Sequence, residues 1–198
     1  MEIEIKDTET KILYATIKLL EEGGVNNATT RKIADKANVS EVTIFRKFKN
    51  KDNLLNEASK FYSEYFLNKL DYVFEVDENE DIVSILKSVW NNILYVFEDD
   101  FNLIRISIED IRAVSLGDPT FKKISEKVIN NLISILKNQM DKGKISKEVN
   151  IEILSLDIYS MIIQSLLLWK IYGYTPSKSV NEEVDNFIEI LLDGIAPK

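Results

Sequence analysis

A chain of 198 residues, 45% hydrophobic and 29% charged, has the composition of an ordinary soluble protein with apolar material for one or two cores. It contains no cysteine and no histidine, which excludes disulfides, thiol redox sensing, thiolate or imidazole metal sites and imidazole-based catalysis. Its net charge of −8 repels nucleic acid at long range, so any such contact needs a segregated basic patch. The charges are segregated. Residues 1–60 carry 11 bases and 10 acids, and residues 61–198 carry 14 and 23.

The opening MEIEIKDTETK is too acidic and polar for a signal peptide, and a cytoplasmic protein is expected. Thr8 to Glu22 reads as a first helix with Leu13, Thr16, Ile17 and Leu20 on one face; Gly23 and Gly24 stop it, and Val25 folds back onto the core. Thr29 to Lys51 then reads as two short helices joined by a tight turn. Thr29 or Thr30 caps the first, whose apolar side is Ile33, Ala34 and Ala37. Asn38 tolerates the left-handed conformation that closes a helix, Val39 follows as a buried plug, and Ser40 caps the second helix. If Ile44 and Phe48 face inward there, Val42 and Arg46 face outward, flanked by Thr43 and Phe45. Seven bases against two acids lie between Thr29 and Lys51. A polar and basic outer face of this kind suits a helix lying in a major groove, although a solvated surface hairpin has the same charge pattern.

The run TTRKIADKANVSEVTIFRKFKNKDNLL resembles the helix-turn-helix of the TetR family of transcriptional regulators (TetR/AcrR-like). A Thr-rich cap, an Ile-Ala pair, a small-residue turn, Val-Ser, then Thr-apolar-aromatic-x-x-Phe and Lys-x-x-Leu follow in the family's order. Phe45 stands where Tyr is more usual, and Glu41 and Val42 where Lys and Gly are frequent. The resemblance implies a homodimer binding a pseudo-palindromic operator in double-stranded DNA, and a repressor released by a small ligand. Thr43 and Arg46 would read bases, with Val42 against a thymine methyl; Thr30, Lys47 and Lys51 would take phosphates, with Arg31, Ser40 and Phe45 completing the DNA face.

Residues 1–51 would form this DNA-binding domain and 52–198 a C-terminal ligand-binding and dimerisation domain, its connecting helix spanning 52–76. That helix carries one stripe from Leu54 through Ala58, Tyr62 and Phe66 to Val73. The acidic run 77–81 is a loop. Further helices are expected at Ile82 to Glu98, Phe101 to Val114, Phe121 to Met140 (after a Gly117-Asp118-Pro119 break), Glu148 to Tyr172 and Val180 to Ile195. The fold class is therefore all-α, about nine helices, with no strand periodicity. The segment Glu148 to Tyr172 is apolar nearly all round and needs covering on both sides. Asp157, Gln164 and Lys170 interrupt it, so no membrane span is expected. Packing of that helix and the last one on their symmetry mates would use Asp157, Ile163, Gln164, Leu167, Phe187, Ile188 and Leu191.

No P-loop, dinucleotide fingerprint, nucleophile elbow or Glu-x-x-His pair is present, so neither an enzyme nor a cofactor or metal site is expected. By the resemblance, the ligand sits inside the C-terminal bundle. Tyr62, Phe66, Trp90, Phe97, Phe101, Arg105 and Tyr159 would border it and favour a hydrophobic or amphipathic molecule. Two other readings stay open: a DNA-binding dimer that senses nothing, and a helical module whose basic hairpin contacts an acidic protein.

Overall fold

The structure is a computed structural model that describes residues 7–99, 120–174 and 180–195. The elements are α1 (Thr8–Asn27), α2 (Thr30–Ala37), α3 (Glu41–Phe48), α4 (Lys51–Val73), α5 (Ile82–Asp99), α6 (Thr120–Asp141), α7 (Ile151–Leu166), a π-helical turn (Leu167–Ile171) and α8 (Val180–Ile195). Among the described residues there is no strand. The expected helix 101–114 and the break at 117–119 lie outside them. Described residues up to Asn68 fall in one compact unit; 69–99, with the described residues from Lys122 onward, fall in a second.

In the first unit, Asp7 caps α1 by accepting from the Thr10 amide at 2.8 Å, and Ile12, Leu13, Ile17 and Leu20 are buried. The helix breaks at Gly23–Gly24, where Gly24 has φ +67°, a conformation that only glycine adopts without cost. Helical bonding resumes to Asn27, whose side-chain amide donates to the Leu19 carbonyl at 3.1 Å. Val25 does not fold back onto the core: it is 53% exposed, because the chain beyond the break turns its side chain outward.

Thr29 caps α2, accepting from the Lys32 amide at 3.3 Å. Asn38 closes α2 in the left-handed region (φ 54°), with Asn38 N–H donating to Asp35 and Val39 N–H to Ala34. That pair of bonds is a Schellman closure. Val39 is half-buried, less than a plug would be, since it is the exit residue of that turn. Ser40 caps α3 by accepting from the Thr43 amide at 3.2 Å.

The α3–α4 junction is tighter. Lys49 has φ 68° and ψ −47°, and the Asn50 amide donates to the Phe48 carbonyl at 2.8 Å. These values define a γ-turn of the rare, positive-φ kind, which is strained in any residue with a Cβ. Asn50 then caps α4 through the Asn53 amide at 2.8 Å. Lys49→Gly is expected to stabilise the protein by about 1–2 kcal/mol by releasing that strain. A urea midpoint unchanged or lowered, at unchanged slope, would count against it.

In the second unit, α4 ends at Val73, three residues before the expected limit. Its last carbonyl accepts the Asn92 side-chain amide at 3.2 Å. Asp81 caps α5 through the amide and hydroxyl of Ser84, bonds that hold its carboxyl below the usual carboxylate range. The acidic loop is gripped by its carbonyls: the Gln139 amide and the Lys142 amine both donate to that of Glu78. Asn150 caps α7, which ends at Leu166 rather than running on as one α-helix to Tyr172. From Leu167 the bonds lengthen to i→i+5, as in Tyr172 N–H to Leu167. By length and mean hydropathy (1.6) alone, Ile151–Trp169 is apolar enough to cross a membrane despite Asp157 and Gln164, a test that a core helix passes as well.

Candidate nucleic-acid interface

The two short helices meet at a tight turn because their apolar residues converge. Ile33, Ala34 and Ala37 of α2 and Ile44 and Phe48 of α3 are all buried. Stepping 100° per residue along α3, the face opposite Ile44 and Phe48 holds Val42 and Arg46, flanked by Thr43 and Phe45. Val42, Phe45 and Arg46 are exposed, Val42 at 75%, and Glu41 is exposed at the helix start although it steps to the Phe48 side. An exposed valine and an exposed phenylalanine beside an arginine form a face suited to base edges and methyl groups.

The polar side chains of this face are held by neighbours. Thr30, free of capping duty because Thr29 performs it, donates its hydroxyl to Glu41 Oε2 at 2.8 Å. Ser40 Oγ and Thr43 Oγ1 are 2.9 Å apart. Lys47 reaches back to Glu9 on α1 at 3.1 Å, and Lys51 donates to the Val25 carbonyl at 3.1 Å. The Val25 carbonyl is available because the α1 break turns this segment outward. All these contacts are solvent-exposed, and exposed ion pairs contribute about 0–1 kcal/mol, so phosphates can displace them. Arg31 and Arg46 are also exposed. The predicted DNA-facing residues Thr30, Arg31, Ser40, Val42, Thr43, Phe45, Arg46, Lys47 and Lys51 therefore lie within α2, α3, their turn and the start of α4.

Residues 12–58 match the model of the bacterial regulatory proteins of the tetR family. The uncharacterized HTH-type transcriptional regulator YvkB of Bacillus subtilis (strain 168) is 29% identical over 171 residues, 85% of each chain. Over residues 12–58 the chain is similar to the tetR family. The likeness to solved structures extends beyond the head. A TetR transcription regulator from Haloarcula marismortui superposes with a TM-score of 0.72 at 19% identity, over 98% of this chain and 100% of that one. The transcriptional regulator FadR from Bacillus subtilis, solved in complex with stearoyl-CoA, gives 0.64 at 20% identity, over 93% and 98%. At those identities the shared property is the fold.

The residues predicted to border a ligand are distributed as follows. Tyr62 and Phe66 are buried in the first unit; the Tyr62 hydroxyl donates to Glu21 Oε1 at 3.3 Å and its ring stacks on Tyr65. Trp90 and Tyr159 belong to the second unit. Tyr159 Oη lies 2.5 Å from Ser125 Oγ, and burial pushes the phenol pKa up, with that hydrogen bond partly opposing it. Since the folded value lies above the unfolded one, its stabilising contribution is whole below pH 10.0 and is lost as pH rises through the folded value. Phe101 and Arg105 lie outside the described residues, as does the side chain of Phe97.

Trp90 packs edge-on to Trp169 at 6.1 Å and lines an apolar crevice with Leu86 and Val89 of α5, Ile158, Met161 and Ile162 of α7, and Val184, Phe187 and Ile188 of α8. Two residues expected at a dimer interface, Phe187 and Ile188, thus face the protomer's own interior. Ile188 is only 3% exposed and is not available to a partner, a correction that follows from the way α8 packs on α5. Asp157 and Gln164 are exposed, and Ile163, Leu167 and Leu191 half-buried. Sequence reasoning missed Ile153, Leu156 and Ile190, all large, apolar and exposed. The spacing 153, 156, 160, 163, 167 is a helical stripe that could have identified the first two. Among the described residues no group of three or more carboxylates could hold a metal ion.

Proposed function

We propose that this protein is a homodimeric, sequence-specific DNA-binding regulator of the cytoplasm, a repressor released from a pseudo-palindromic operator by a hydrophobic or amphipathic ligand. The observation that carries the reading is α3. One face (Ile44, Phe48) is buried, while the other puts Val42, Phe45 and Arg46 into solvent on the second helix of a helix-turn-helix. Arg46→Ala is expected to relax base preference at one position of each half-site, whereas Lys51→Ala weakens all duplexes about equally and lowers the salt slope by about one. Equal, sequence-independent losses from both substitutions would contradict these roles.

The dimer is proposed to use the outward stripe of α7 and the exposed flank of α8. Ile153, Leu156, Ile163 and Leu167 alternate there with Asp157, Ser160 and Gln164. A charge such as Asp157 at mid-bilayer costs about 2.5–3.5 kcal/mol on insertion scales, so a second copy suits this face better than lipid. The ligand class draws support from the stearoyl-CoA bound by the Bacillus subtilis regulator. Stearoyl-CoA at about 100 times its Kd is expected to raise stability by about 2.7 kcal/mol. A melting temperature moved equally by free CoA, or unmoved by either, favours a regulator that senses another signal or none.

A further inference from the structure

Glu41 is an exposed acid at the start of the helix that would meet DNA. It stands one helical turn before Phe45, at the edge of the outward face, and is exposed because no turn of α3 precedes it. It is also the first residue of α3, the end of a recognition helix whose side chains contact base edges. Its carboxylate takes the Thr30 hydroxyl at 2.8 Å. A carboxylate brought against DNA repels phosphates and every groove acceptor, and it is compensated only by a donor. In the major groove the donors are the amines of cytosine and adenine; adenine sets an acceptor, N7, beside its amine, whereas cytosine's own edge carries the amine alone.

Resting on the DNA-binding reading above, we infer that Glu41 is a specificity-determining residue that exchanges the Thr30 hydroxyl for the N4 amine of a cytosine in each operator half-site. The exchange releases the Thr30 hydroxyl to donate to a phosphate oxygen. On a duplex without that cytosine, Glu41 stays on Thr30 and both the base contact and the phosphate contact are lost. One carboxylate thus rejects wrong sequences and gains from the right one.

The test is selection of binding duplexes from a randomised pool by the full-length wild type, Glu41→Gln and Thr30→Val, followed by affinities on single-base variants. Glutamine keeps an oxygen for the Thr30 hydroxyl, so the head retains its packing. The wild type is expected to enrich a cytosine at one position of each half-site and to lose roughly 5- to 150-fold on its replacement. Glu41→Gln loses that preference or moves it toward adenine, and its affinity for random duplex rises. Thr30→Val weakens binding but keeps the cytosine. Enrichment of the same bases by wild type and Glu41→Gln overturns the inference and leaves the DNA-binding reading standing. Loss of the cytosine in Thr30→Val as well overturns it too, since Glu41 then acts by positioning α2. A wild type that enriches nothing overturns the DNA-binding reading itself.

Discussion

Leu156→Glu is expected to convert the protein to a monomer and to lower operator affinity by at least about 100-fold, while leaving the protomer folded. Leu156 is 48% exposed, so a carboxylate there meets water in the isolated chain and costs the protomer little. In a two-fold dimer the same side chain meets an apolar surface of the symmetry mate, where an unpaired charge is not tolerated. The loss on DNA follows from linkage. Two heads joined in one dimer bind the second half-site at high effective concentration, an advantage of about 10²–10⁴ that a monomer forgoes. Sedimentation shows the state directly. A dimeric Leu156→Glu, or a wild type monomeric at micromolar concentration, contradicts the proposed interface.

Phe66→Ala is expected to cost about 3–5 kcal/mol, a large fraction of the total stability of a chain this size. Phe66 is among the largest fully buried side chains, in the middle of α4. The buried stripe Leu54, Ala58, Tyr62, Phe66, Leu70, Val73 continues along the whole helix. Chemical denaturation at constant slope measures the loss; a change under about 1 kcal/mol means the site collapses around the gap, or that Phe66 lines a space meant to be filled. The second outcome favours the ligand reading for this residue, and stearoyl-CoA affinity distinguishes the two.

The sequence made the DNA-binding head legible almost residue by residue, for a physical reason. Its helices are short, each end carries its own stop and start chemistry, and Thr29, Asn38 and Ser40 perform those roles locally. The γ-turn at Lys49 left no such trace, because nothing in Lys-Asn-Lys announces a positive φ. Long helices were legible as stripes, yet their ends were not: α4 finishes at Val73, and α7 passes at Leu166 into a π-helical turn that periodicity does not announce. The largest gap lies in α7 and α8. When nearly every residue of a helix is apolar, periodicity cannot say which side meets the protomer and which the partner. Ile188, expected at the interface, is buried within the chain, and Leu156, which the pattern assigned to neither side, is exposed.

A hydroxyl-radical footprint of the wild-type protein on its selected duplex tests operator binding by a dimer most directly. A dimer presenting two α3 helices predicts two protected patches on one face of the DNA, separated by one helical turn of roughly 34–36 Å, and an Arg46→Ala complex that loses protection at both. A single patch, protection spread evenly along the duplex, or a pattern indifferent to Arg46 would contradict it.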